Sequence, residues 1–162
     1  MKFIIMAMRD VTGEPPAVLA QSSEDAPRPA PRVVLADDHP ELLAETQSLL
    51  EPDFEVVCLA TGGAALLRAV LEAKPDGVVS DVQMPGVNGI EAGSEIVRQG
   101  LCGAVVMLSM YNDPQLLSTA LEAGIRGYVL KEDAGEELIP ALRAVLAGNK
   151  YFSRGVRSAL PD

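Results

Sequence analysis

Five side chains in this 162-residue chain could act on one substrate if the fold gathered them: Asp37, Asp38, Asp81, Ser109 and Lys131. Each stands at or just beyond the end of a short β-branched or apolar run: Val33–Ala36, Gly77–Ser80, Ala104–Leu108 or Gly127–Leu130. Two unit charges ~4 Å apart repel by about 4 kcal/mol at an effective dielectric of 20, so three neighbouring carboxylates call for a counter-cation. A site of a few protein oxygens and several waters suits Mg²⁺. Zinc is less well served, since His39 is the only histidine and Cys58 and Cys102 lie far from the acids in sequence. A carboxylate can accept a phosphoryl group as an aspartyl phosphate. A hydroxyl can donate to that group, and an ammonium can offset its charge. The chemistry on offer is metal-assisted formation and hydrolysis of an acyl phosphate.

Taken singly, each residue has an ordinary structural explanation. Asp38 could cap the helix that begins near Pro40, and Ser109 the one that follows it. Lys131 could run its stem past apolar neighbours. Asp81 precedes a Pro-Gly-x-Asn-Gly turn, where Asp is common, and His39 reads as a solvated first-turn residue. Cys58 and Cys102 read as small apolar fillers. None of these explanations accounts for the joint placement at successive strand ends.

The elements that must position them follow from two hydrophobic periods. Apolar runs at Val33–Ala36, Phe54–Ala60, Gly77–Ser80, Ala104–Leu108 and Gly127–Leu130 predict strands. Between them, stripes such as Leu42, Leu43, Thr46, Leu49 and Leu50, or Leu138, Ile139, Leu142, Val145 and Leu146, have helical spacing. Ile90 to Val97 is a weaker helix closed by Gly100. Gly124 and Gly148 suit helix C-caps, while Pro140 is awkward within the last helix, which starts nearer Leu138 or bends. Five strands alternating with five helices predict an α/β fold, a doubly wound five-stranded parallel sheet with helices on both faces. Ligands of such sheets sit beyond the carboxyl ends of the strands, where these side chains stand.

Composition narrows the class further. Lys and Arg total 13 against 23 Asp and Glu, a formal net charge of -10, which argues against a nucleic-acid surface. Hydrophobic residues at 48% are too many for a disordered protein. No apolar run reaches the ~18 residues of a membrane helix. Residues 1–31 hold five of the 12 prolines and read as a disordered leader, residues 32–150 as the folded domain, and 151–162 as a C-terminal tail or linker. The first residues lack a signal-peptide pattern, and a cytoplasmic location is expected.

Residues 32–150 resemble the CheY-like receiver domain of bacterial response regulators. RVVLADDHPELL is similar to its first strand and paired acids, VVSDVQMPGVNGIE to its phosphoacceptor strand and turn, VVMLSMYND to its hydroxyl strand and GYVLKED to its lysine strand. The phrases ADDHP, MLSMYND, EAGIRGYVLKEDAGEEL and AVLAGNKYFS resemble the NarL/LuxR-type subgroup. The resemblance implies strand order 2-1-3-4-5 and phosphorylation on Asp81. Mg²⁺ would be held by Asp37, Asp38, Asp81 and the Gln83 backbone carbonyl. Ser109 and Lys131 would contact the phosphoryl group, with Tyr128 at the aromatic switch position.

Implied partners are a sensor histidine kinase, an output domain or partner protein at the face of strands four and five around Met110 and Tyr111, and a second copy of the chain. No recognition helix fits after Lys150, so direct DNA binding by this chain is not expected, nor is a membrane. Ser109 stands where Thr is commoner, and Gln83 is polar where the family varies. A dehalogenase-type phosphohydrolase would want an acid at position 83, and a flavodoxin-like carrier a Ser/Thr-rich loop after strand one. The remaining alternative is a receiver-fold interaction module that is never phosphorylated.

Overall fold

The computed structural model describes residues 29–158. The leader expected over 1–31 therefore lies outside the described residues except for its last three, as do positions 159–162. In chain order the elements are β1 (Arg32–Ala36), α1 (Pro40–Leu50), β2 (Glu55–Ala60), α2 (Gly63–Ala73), β3 (Gly77–Asp81), α3 (Gly89–Arg98) and β4 (Val105–Ser109). There follow α4 (Pro114–Glu122), β5 (Gly127–Leu130), a 3₁₀ turn at Lys131–Asp133, α5 (Ala134–Leu146), β6 (Tyr151–Phe152) and α6 (Arg154–Arg157). All strands pair in parallel in the order β2-β1-β3-β4-β5-β6.

Two-sided burial explains the composition of the central strands. β3, β4 and β5 are buried at every position, because α1 and α5 pack together on one face while α2, α3 and α4 line the other. β2 is an edge strand and departs from this pattern: only Ala60 is fully buried, and Leu59 is 44% exposed. Pro40 opens α1 with its preset φ. Gly124, at φ 89°, closes α4: its N–H bonds Leu121 O and the next N–H bonds Ala120 O, the Schellman arrangement. Pro140 lies inside α5, which starts at Ala134 rather than near Leu138. Both Pro140 and Glu136 are exposed, so the carbonyl that loses its donor is on the solvent side.

The sixth strand corrects the five-strand expectation, and residues 151–157, read above as a tail, belong to the folded body. Two residues are too short a run to show a period. Long-range polar contacts fix them instead. Tyr151 N–H bonds Arg126 O, and Ser153 N–H bonds Tyr128 O. The Ser153 hydroxyl, fully buried, accepts from Leu130 N–H at 3.0 Å and donates to Asp133 Oδ2 at 2.7 Å. Buried Glu137 accepts from Tyr151 O–H at 2.8 Å and from Arg154 N–H at 3.0 Å.

Replacing Ser153 by Ala leaves the Leu130 N–H buried without a partner and is expected to lower the unfolding free energy by about 1–3 kcal/mol in urea titration. A loss near zero would show β6 to be dispensable. The Ser153 hydroxyl and the Gly155 N–H hold the Asp133 carboxyl below its ordinary value of 3.8. A lowered folded value stabilises the fold above the ordinary range, and that contribution is lost as pH falls through it. Wild type and Asp133→Asn should therefore differ at neutral pH and converge in acid.

Candidate functional site

Register brings the sequence-predicted residues to one rim. Ala36 pairs with Ser80, Asp81 with Leu108, and Ser109 with Leu130. Asp37 therefore follows directly beside Asp81, and Ser109 and Lys131 follow on the next two strands. None of this depends on a loop finding its way back: the parallel ladder sets it.

The electrostatics centre on Lys131. Its Nζ lies 3.2 Å from Asp37 Oδ2 and 3.2 Å from Asp81 Oδ2, with the side chain only 15% exposed. This is a bridging ammonium rather than a snorkelling one. Burial pushes the Asp81 carboxyl above its ordinary range, even though Lys131 and the Gln83 N–H, which donates to Asp81 Oδ1 at 3.2 Å, pull it down. The Asp37 charge adds to the upward push. His39, rather than Asp38, occupies the N-cap of α1 and makes no side-chain cap bond. Its Nδ1 sits 3.1 Å from both Asp37 Oδ1 and Asp38 Oδ1. Asp38 is thus free of the capping role.

Ligand atoms of Asp37, Asp38, His39 and Asp81 lie within 4.8 Å of one another. Asp38 Oδ1 is buried and makes no well-aligned hydrogen bond, although His39 Nδ1 lies 3.1 Å away. An acidic oxygen in that state, among two further carboxylates, fits a hard divalent cation such as Mg²⁺. Gln83 lines the same cleft, together with Asp38, His39, Asp81, Met84, Ser109, Tyr111 and Lys131.

Ser109 does not cap α4. Asp113 does, accepting from the N–H groups of Gln115 and Leu116 at 2.9 and 3.3 Å. The Ser109 hydroxyl instead donates to Tyr111 O at 2.7 Å and accepts from Tyr111 N–H at 3.2 Å. Tyr128 lies beneath the rim, 1% exposed, with its hydroxyl beside Ser109. Burial raises its pKa. Met110 and Tyr111, by contrast, are 61% and 66% exposed beside the cleft. Cys102 is a buried filler as expected, its thiol pushed up by desolvation.

Four positioning residues escaped the sequence reading. A Cβ on Gly89 would collide with the Asp81 carbonyl oxygen, so only glycine lets α3 start against the end of β3. Asn88 and Glu91 lock that start in a reciprocal capping box, and their N-x-x-E spacing was the signal available. Glu137 gave no signal, because its partners lie 14 and 17 residues away.

Comparison with known proteins gives the same picture. The family described as the response regulator receiver domain matches residues 33–143. The nitrate/nitrite response regulator NarL of Escherichia coli (strain K12) is 33% identical over 130 residues, covering 79% of this chain and 60% of that protein. A LuxR-family two-component response regulator from Aurantimonas sp. SI85-9A1 superimposes with a TM-score of 0.75 at 33% identity, over 80% of this chain and 94% of that one. The response regulator RcsB, solved in complex with DNA, gives 0.72 at 30% identity, over 80% of this chain and 66% of that one. The chain spans about three fifths of the length of the curated relatives it matches.

These findings correct the expected partner set of a histidine kinase, an output domain at the strand-four and strand-five face, a second copy, and no DNA. The exclusion of DNA rested on net charge and on the absence of a recognition helix after Lys150. Both observations concern this chain alone, which spans about three fifths of the length of those relatives. RcsB shares the matched region and is nonetheless solved on DNA, so acidity here does not exclude a DNA-binding regulator.

Gly89→Ala is expected to cost about 1–3 kcal/mol by overpacking and to displace the amide resonances of residues 80–83. Unchanged shifts there would remove Gly89 from the positioning of Asp81. With a parallel sheet, five functional side chains on one rim and a family match over most of its length, the chain belongs to the response regulator receiver domains, in their NarL/LuxR-type branch.

Proposed function

We propose that residues 32–150 are a receiver domain that takes a phosphoryl group on Asp81 from a sensor histidine kinase and returns it to water. The observation that carries this reading is the pairing of Asp81 with Lys131 at 3.2 Å on the floor of an open cleft whose wall includes the Ser109 side chain. In the transfer, an Asp81 carboxylate oxygen attacks phosphorus, the bond from phosphorus to the donor's imidazole nitrogen breaks, and its electron pair stays on the nitrogen. Asp37, Asp38, Asp81 and the Gln83 carbonyl would hold Mg²⁺, which when bound offsets charge on the phosphoryl oxygens. Lys131 shifts from its two carboxylates toward the new oxygens, and Ser109 turns its proton from Tyr111 O to one of them.

The energetics suit a switch. Moving a population from 1:99 to 99:1 needs about 5.5 kcal/mol of differential interaction, and one hydrogen bond to a charged group is worth about 1.5–3 kcal/mol. Two new contacts, from Ser109 and Lys131, come close to that requirement. The protein would act in the cytoplasm as part of a two-component regulator of transcription, with chemistry confined to gaining and losing one phosphoryl group. Among the described residues no helix is long and apolar enough to cross a membrane.

Intact mass after incubation with acetyl phosphate and Mg²⁺ is expected to show one added phosphoryl group, lost in Asp81→Asn and after chelation. Lys131→Ala should slow the reaction about ten-fold or more, the kinetic equivalent of one charge-assisted hydrogen bond. A folded protein that takes no phosphoryl group would instead be the unphosphorylated interaction module.

A further inference from the structure

Ser109 and Lys131 share a neighbour far along the chain. Asn112, three residues after Ser109, donates from Nδ2 to Gly155 O at 2.9 Å. Asp133, two residues after Lys131, accepts from Gly155 N–H at 2.9 Å. Gly155 is therefore held through its carbonyl by the Ser109 segment and through its N–H by the Lys131 segment. A Cβ there would collide with the Leu130 side chain and approach Asp133 Oδ2 to 3.0 Å, so the α6 turn is pressed onto the end of β5. Val156, next in line, is fully buried.

The Ser109 hydroxyl has one proton, and that proton is donated to Tyr111 O. Giving it to a phosphoryl oxygen surrenders the Tyr111 bond and rebuilds the backbone of residues 110–112. Asn112 travels with that backbone, while Gly155 is fixed from the other side through Asp133. The two cannot both keep their present positions. On the footing of the phosphoryl chemistry above, we propose that the α6 turn is a latched read-out of Asp81: phosphorylation breaks the Asn112–Gly155 bond, the turn swings about Ser153–Arg154, and Val156 is uncovered. Ser153 and Glu137 anchor the stationary side of the hinge.

Coupling of this kind is reciprocal. If the phosphoryl group opens the latch, opening the latch favours the phosphoryl group. The test uses the full 162-residue chain with Mg²⁺ and beryllofluoride, binding being read by fluorine NMR and opening by amide hydrogen exchange. The reporters are the N–H groups of Val156, Arg157 and Ser158, which bond Ser153 O, Ser153 O and Arg154 O.

Beryllofluoride is expected to speed exchange at these three amides at least three-fold while β4 stays protected. Asn112→Ala should bind beryllofluoride about two- to five-fold more tightly, the equivalent of one exposed hydrogen bond. Gly155→Ala, which dislodges the turn while leaving the residues of the Ser109 loop unchanged, should shift affinity the same way. Bound fluoride with unchanged exchange, or unchanged affinity in both variants, overturns the latch and leaves the phosphoryl site standing. A folded protein with no bound fluoride overturns both.

Discussion

Asp37 and Asp81 end adjacent parallel strands at the same level, and like charges so close repel strongly unless a cation stands between them. Lys131 provides it, 3.2 Å from each. At an effective dielectric near 20, each contact of that length offsets several kcal/mol of repulsion and desolvation. The arrangement is stable only because the ammonium is shared, and a shared ammonium can be withdrawn. Under the proposed chemistry, an arriving phosphoryl group would compete for Lys131 with the two acids that hold it, so the interaction that makes the resting site tolerable would also make it responsive.

Everything else in the fold serves the level at which those charges meet. The β1–β3–β4–β5 ladder runs without a break in register between Ala36–Ser80, Asp81–Leu108 and Ser109–Leu130. Gly89 lets α3 press against the Asp81 backbone, and the capping box at Asn88 fixes where that helix starts. On the other flank, Asp113 rather than Ser109 caps α4, which leaves the Ser109 hydroxyl available to exchange one acceptor for another. Tyr128 is buried beneath the same rim, beside Ser109.

Much of this was legible in the chain because each cue is local. Apolar runs of four to seven residues, helical stripes and the glycine caps are read within one element, and parallel strand ends then place Asp37, Asp38, Asp81, Ser109 and Lys131 together. The failures share one physical cause. β2 looked like a buried strand because its residues are apolar, yet a run does not say which strand is at the edge. β6 is two residues long and is held by Ser153, Asp133 and Glu137 across 14 to 23 positions, contacts that no period reveals. Pro140 was awkward only until its exposed side of α5 was known. Sequence reports what a residue prefers, whereas these outcomes depend on what lies opposite it.

The same distinction separates the site from its consequences. Acids, hydroxyl and ammonium are fixed by strand ends and vary little with what surrounds them. The response to a phosphoryl group depends on which weak contacts the rebuilt loop must give up, and such contacts are long-range by nature. The Ser109 loop is tied on one side to the cleft and on the other, through Asn112, to a turn that joins the sheet last in sequence. Because α6 contributes so few residues, it is the part of the domain that one lost hydrogen bond can move. The central strands, buried on both faces, cannot follow. A rigid ladder carrying one short turn, latched at Gly155, would convert a local exchange of hydrogen bonds into a displacement at a single defined place.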